Sequence, residues 1–438
     1  MVAVLTVFAC HLWHWPRGGF VGVDVFFVIS GFLITGNLLR SAERQERTRA
    51  REFFTGFYSR RVRRIVPAAT VVLILTCVVA VLVFLPFRAK EVGVDAAWAF
   101  AFLSNWWFAI KGTDYFTATD SVSPLQHYWS LSIEEQFYFV WPALIFVIGV
   151  FVLRRSGTHA HRMRIAAVVM GAIVVVSFGW ALFETVSSPT WAYFNTFARV
   201  WELGVGAVLA CSVGALARIP VGLRPVVSWV GLVLIAVSIF VISEGSRGFP
   251  APWALLPVLG AALVIAAGVG GEPRLQAFLR NPVSAYIGDI SYSLYLVHWP
   301  IIIFAATLMD TSGAYYLLVV ALAFALAIGS YHFVENPLRR ADATRMRARW
   351  RDIRKGRFVP QPATIRAGIA AVALLAVALT AYAGRPDALE LRISARVSPV
   401  CGSRRPVVGL LVGLPRAPLC RCQRHSELDQ LSDLAGEG

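Results

Sequence analysis

The sequence predicts an all-α, polytopic membrane protein. Three observations carry that prediction. Of the 438 residues 57% are hydrophobic and only 15% charged. Apolar runs near the ~20 residues that span a bilayer recur along the chain, and the basic residues gather in the stretches between them. So few polar side chains could not cover a soluble globule of this size. The formal charge of +16 would suit nucleic acid, but short arginine blocks beside apolar runs are explained by orientation in a membrane, so no nucleic-acid partner is expected.

Taken in order, the first run, residues 1 to 14, has no basic lead and no small-residue cleavage site, and reads as a retained helix. The second, 20 to 39, lies in "GGFVGVDVFFVISGFLIT", with Asp24 near its start and Ser30-Gly31 in its middle, a small pair suited to close helix packing. The third, 65 to 86, follows the basic "FYSRRVRRIVP". The stretch 96 to 110 is shorter, contains Asn105 and ends in a Trp pair typical of an interface; it is expected to be interfacial or re-entrant. Then come 129 to 153, 163 to 184, 192 to 211, 223 to 243, 252 to 271, 284 to 308, 314 to 336 and 364 to 384. Each is apolar enough for a transmembrane helix, which makes eleven crossings in all.

Charge sets the expected sidedness. With the N-terminus inside, the inner loops hold 27 Lys and Arg and the outer loops five, the asymmetry that orients multi-pass proteins. A multi-pass protein of a bacterial cytoplasmic membrane follows, with residues 385 to 438 outside. The six cysteines show no ligand spacing, so neither a metal nor a disulfide framework is expected.

On that topology the unusual polar residues fall toward the outer side. His11 and His14 close the first span, Asp24 opens the second, and Glu134 and Glu135 enter with "HYWSLSIEEQFYFVWP". Arg199 and Glu202, three apart in "ARVWELGVGA", share a helix face. His298 sits in "ISYSLYLVHWP", with Tyr292, Tyr295 and Trp299 along the same side. Ionisable groups within a hydrocarbon layer are costly unless paired or lining a wet cavity, so the set is expected to converge on one site. The plainer alternative for any member is structural: an Arg199 and Glu202 ion pair, or single histidines bonded to backbone. On the opposite side Arg61 and Arg64, three apart, suit forked phosphate contacts, although a juxtamembrane arginine block also serves as a topology anchor. No Walker, dinucleotide or G-x-S-x-G fingerprint occurs.

Together these segments, with "LSNWW" and "FVENPLRR", resemble the membrane acyltransferase 3 family over about residues 1 to 340. The resemblance implies a ten-helix acyltransferase core, a basic cytoplasmic linker over 341 to 363, an eleventh helix over 364 to 384, and a tail over 385 to 438. It implies acetyl-CoA or another acyl-CoA as a cytoplasmic donor substrate and an envelope glycan or glycolipid hydroxyl as acceptor. It places the essential histidine at His11, with His14 the less favoured substitute, and the CoA-facing arginines at Arg61 and Arg64. Glu135, Arg199, Glu202, Tyr295 and His298 match other motif positions.

The chemistry agrees, since a neutral imidazole can take the acceptor's proton or carry the acyl group itself, and a carboxylate can orient it. Asp24 then has two readings, as the partner of His11 or as a charge at a helix N-terminus. Two departures from the family pattern stand out. The arginine eleven residues before the histidine would fall before Met1, and the tail lacks the hydrolase-like SGNH block that the eleventh helix commonly delivers, so the expected activity is either impaired or completed by a separate extracytoplasmic transferase. The alternatives are a transporter or glycan flippase, or an inactive acyltransferase remnant.

Overall fold

The computed structural model describes residues 1–44, 50–113, 122–153, 159–243, 245–246, 248–274, 276–340, 351, 354 and 362–383. All the secondary structure among them is helical. The calls on the tail, 385 to 438, and on nearly all of the basic linker, 341 to 363, lie outside the described residues.

Each of the eleven apolar runs falls on helix. The first is α1 (Val2–Trp13), and the second is α2 (Gly22–Arg44). The third belongs to α3 (Ala50–Val83), 34 residues long. At 1.5 Å per residue α3 reaches about 51 Å, well beyond a hydrocarbon layer, so the expected span is only its apolar half and the arginine block is the same helix continued. Two shorter helices follow, α4 (Pro86–Phe100) and α5 (Ser104–Ile110), meeting at Phe102, whose φ of 55° breaks the helix. This is the segment read as a non-crossing element. The buried Asn105 is satisfied there, its amide donating to the Phe194 carbonyl and to Thr196 Oγ1, both at 3.0 Å.

Next come α6 (Tyr128–Leu153) and α7 (His159–Ser187). The run 192 to 211 divides into α8 (Pro189–Phe194) and α9 (Thr196–Cys211). Asn195 causes the division, its side chain capping α9 at the Phe197 N–H while its amide donates to Glu184 at 2.8 Å. The chain continues as α10 (Arg224–Val241), α11 (Leu255–Gly268), α12 (Pro282–Asp289) and α13 (Ser291–Leu308). Then α14 (Gly313–Gly329) widens into a π turn over Ser330–Glu335, and α15 (Pro362–Ala383) ends the described chain. Among the described residues seven helical stretches are long and apolar enough to cross a membrane, while α1 and α11 are apolar but shorter.

Close approach of α2 and α9 fixes the centre. A Cβ on Gly31 would lie 1.9 Å from the Leu203 carbonyl oxygen, and one on Gly206 would lie 2.1 Å from that of Val28. The Ser30-Gly31 pair therefore does what small residues do in membrane helices, letting two backbones touch. Buried apolar side chains form two main clusters. One gathers α2, α6, α7 and α9, the other α1, α3, α13 and α14.

Candidate functional site

The connection between α1 and α2 decides which polar groups meet. After His14, whose φ of 52° closes α1, the chain descends beside α1 through a 3₁₀ turn, Gly19–Val21. Helix α2 therefore starts low: a Cβ on Gly22 would lie 2.4 Å from the Ala3 carbonyl oxygen. Ala3 is eight residues before His11, so this is about 12 Å below it. Asp24 begins α2 at that lower level, and the hydrogen bond of His11 Nδ1 goes to His298. The expectation that Asp24 orients His11 is thus corrected, and so is the expectation of a single level. The sequence-derived residues separate into three groups.

The first group is made of imidazoles. His11 Nδ1 lies 3.0 Å from His298 Nε2, and the rings are stacked at a centroid distance of 5.2 Å. His298 Nδ1 is 2.7 Å from the Tyr295 carbonyl oxygen. A carbonyl can only accept, so His298 Nδ1 carries a hydrogen; in the neutral pair His298 Nε2 then accepts from His11 Nδ1–H, and the lone pair of His11 is on Nε2. Trp299 packs edge-on against His11 at 4.6 Å and donates from Nε1 to the Ser123 carbonyl at 2.9 Å.

His127, which the sequence reading did not single out, joins them with its ring 5.5 Å from that of His298. Its Nε2–H donates to the Leu296 carbonyl at 3.1 Å, and its buried Nδ1 has no hydrogen-bond partner among the described residues. The Tyr295 hydroxyl donates to the His127 carbonyl at 2.9 Å and lies 2.6 Å from Ser130 Oγ. His14, the alternative to His11, is exposed.

The second group is an ion cluster. Arg199 pairs with Asp24 at 3.0 Å and with Glu202 at 2.8 Å, and all three side chains are at most 1% exposed. Rings of Phe27, Trp129, Tyr193 and Phe249 surround the guanidinium at 5.4 to 5.7 Å. The cluster ties the start of α2 to α9 beside the glycine contact.

The third group lies farther along α2 and α6. Arg61 is 3.7 Å from Glu135 and stands 3.6 Å over the Tyr138 ring. The Tyr138 hydroxyl donates to Glu134 at 3.4 Å and meets Ser30 Oγ. Glu134 and Glu135, expected with the histidines, sit with the arginines instead. They are seven and eight residues down the chain from His127, about 11 to 12 Å along the helix.

A cavity of about 1160 Å³ joins the third group to the edge of the first. One end is lined by Arg60, Arg61 and Arg64 of α3, by Arg40 of α2, and by Arg339. Along α2 it runs from Ser41 to Val23, about 27 Å of helix. Toward the histidines it is lined by Phe26, Ser130 and Tyr295. A volume at the upper end of ligand pockets, cationic at one end and apolar to weakly polar at the other, suits a long anionic molecule with a small neutral tip. Among the described residues no group of three His, Cys, Asp or Glu could hold a metal ion.

The missed residues His127, Ser130 and Tyr138 are all in "HYWSLSIEEQFYFVWP". With Glu134 they recur at helical spacing on one face, and that periodicity was the available signal.

Comparison with known proteins is consistent with this geometry. Residues 1–332 match the model of a family described as an acyltransferase domain. YrhL of Bacillus subtilis, provisionally named a peptidoglycan O-acetyltransferase, is 32% identical over 353 residues, covering 77% of this chain and 53% of that protein. The peptidoglycan O-acetyltransferase OatA of Listeria monocytogenes is 31% identical, covering 77% of this chain and 54% of its own. The O-acetyltransferase OatA of Staphylococcus aureus is also 31% identical, with 77% and 56% covered. The chain thus spans about half the length of the curated relatives it matches. No solved structure matches it.

Proposed function

The chain belongs to the membrane acyltransferase 3 family, and from that premise we propose that it moves an acetyl group from acetyl-CoA to a hydroxyl of a cell-envelope glycan. Peptidoglycan, named for its relatives, is the first acceptor to test. The observation that carries this reading is the cavity running from the arginines to the floor of the histidine group. One end offers guanidinium forks to phosphates, and the other ends one residue layer below a paired imidazole. In this reading the arginine end faces the cytoplasm, where CoA is made, and the histidine end faces the envelope, a sidedness that the charge asymmetry of the loops supports.

In this reading Arg61 and Arg64 bind the donor's phosphates, with Glu135 and the Tyr138 ring holding Arg61 in place. His11 receives the acceptor's proton at Nε2 as the hydroxyl oxygen bonds to the thioester carbon. His298 stabilises the resulting cation, because its Nε2 can share the His11 Nδ1 proton while its own Nδ1–H stays on the Tyr295 carbonyl. When the C–S bond breaks, His11 returns the proton to the leaving sulfur, so atoms and charge balance. Tyr295 and Ser130 hold the floor between donor and histidines, and His127 presents a second acceptor nitrogen beside it. The Asp24, Arg199 and Glu202 cluster locks α2 against α9, setting the cavity wall.

The test is transfer of labelled acetyl from acetyl-CoA to a muropeptide acceptor by the protein in proteoliposomes. The His11→Ala variant should lose transfer by 100-fold or more, within the usual range for a general base. Undiminished transfer by that variant would refute the assignment.

A further inference from the structure

The part of the cavity nearest the histidines is lined by a pair of aromatic rings that also pack at the seam of the core. Phe26 on α2 and Tyr295 on α13 both line the cavity. They are also the described side chains that pack against both large apolar clusters. Their rings stand edge to face, 6.4 Å apart. Beyond them Tyr295 is 5.5 Å from the His127 ring and 5.4 Å from that of His298. Tyr295 thus joins the cavity lining to the histidines, and an acyl group carried in the cavity would approach them beside these rings.

The two rings are not held alike. Tyr295 is tethered through its hydroxyl to the His127 carbonyl and to Ser130. Phe26 has no polar atom, is half-buried, and projects from a helix whose opposite side is fixed by the Arg199 cluster. The width of the passage is therefore set by the volume of the side chain at position 26. An apolar wall of this kind discriminates by size, each added methylene being worth roughly 10 to 200-fold.

We propose that Phe26 determines the acyl-chain length of the donor, restricting the thioesters accepted to the two-carbon class. This rests on the acyltransferase reading above and adds to it a residue with no part in proton transfer or phosphate binding. The test compares acetyl-CoA, propionyl-CoA and butyryl-CoA as donors for the full chain in proteoliposomes, and reads the ratio of kcat/KM for butyryl to that for acetyl. A ratio within one variant does not depend on how much protein is folded.

Phe26→Ala should raise the ratio at least 10-fold over the wild type, Phe26→Leu should raise it less, and Phe26→Trp should lower it. A ratio that stays within twofold across the series overturns the proposal, and so does loss of transfer from every donor in all three variants. Absence of acetyl transfer by the wild type would be a different failure, that of the acyltransferase reading.

Discussion

Replacing Arg199 by methionine should be among the most damaging single changes in this protein. The guanidinium stands 3.0 Å from one carboxylate and 2.8 Å from another, with all three groups removed from solvent. At an effective dielectric of about 20, each contact is worth about 5 to 6 kcal/mol before the cost of burial is subtracted. Burial offsets much of that, so the net value of the intact cluster is small. Breaking it from one side is different, because the unpaired charges stay buried, and the usual cost is about 3 to 5 kcal/mol.

Arg199→Met leaves Asp24 facing Glu202 with no cation between them. At about 2 °C per kcal/mol, the low end for domains of 150 to 250 residues, the unfolding midpoint should fall by about 6 to 10 °C. The assay is thermal unfolding in detergent followed by intrinsic fluorescence. The triple change Asp24→Asn, Arg199→Met, Glu202→Gln should recover at least half of the loss, since it removes the charges together with their partner. A single variant as stable as the wild type, or a triple variant less stable than the single one, would refute the account of the cluster as a coupled lock.

Three further outcomes follow from the geometry. Arg61→Ala should raise the KM for acetyl-CoA at least 10-fold and affect kcat less, and Arg61→Lys should not restore it, because a point charge loses the fork and the flat contact over Tyr138; steady-state kinetics in proteoliposomes decide. Gly31→Ala should cost about 3 kcal/mol or more, since its methyl would sit 1.9 Å from the Leu203 carbonyl oxygen, and the readout is a lowered midpoint together with poor membrane yield. His127→Ala should lower kcat by 10-fold or more without a matching rise in the KM for acetyl-CoA, because the cavity lining does not include this side chain; an unchanged kcat would remove it from the site.

The helices and their order were readable from hydropathy, and each apolar run expected to cross falls on helix. The boundaries that moved did so for local reasons. Helix α3 continues through the arginine block because arginine is a good helix former and its long side chain lies at ease along a helix that leaves the bilayer. The split between α8 and α9 was marked by Asn195, a strong capping residue hidden inside an apolar stretch.

The grouping of the polar residues was less legible. Counting depth from the end of each run assumed that α2 begins level with the end of α1, whereas the stretch from His14 through the 3₁₀ turn brings the chain to a level about 12 Å below His11 before α2 starts. That single connection sends Asp24 to Arg199 instead of His11. His298 as the partner of His11 crosses 287 positions of sequence, and no local pattern encodes such a pairing.

The length of the cavity has an electrical meaning. If water fills it, the part of the hydrocarbon layer that it crosses becomes conducting along that path. The voltage across the membrane is then concentrated over the layer between the cavity and the histidines, which Phe26, Tyr295 and Ser130 help to form. In the proposed reaction a proton passing between His11 and a sulfur on the cavity side would move through part of the field, at up to about 2.3 kcal/mol for each 100 mV. On the proposed reading, turnover in energised vesicles should respond to membrane potential.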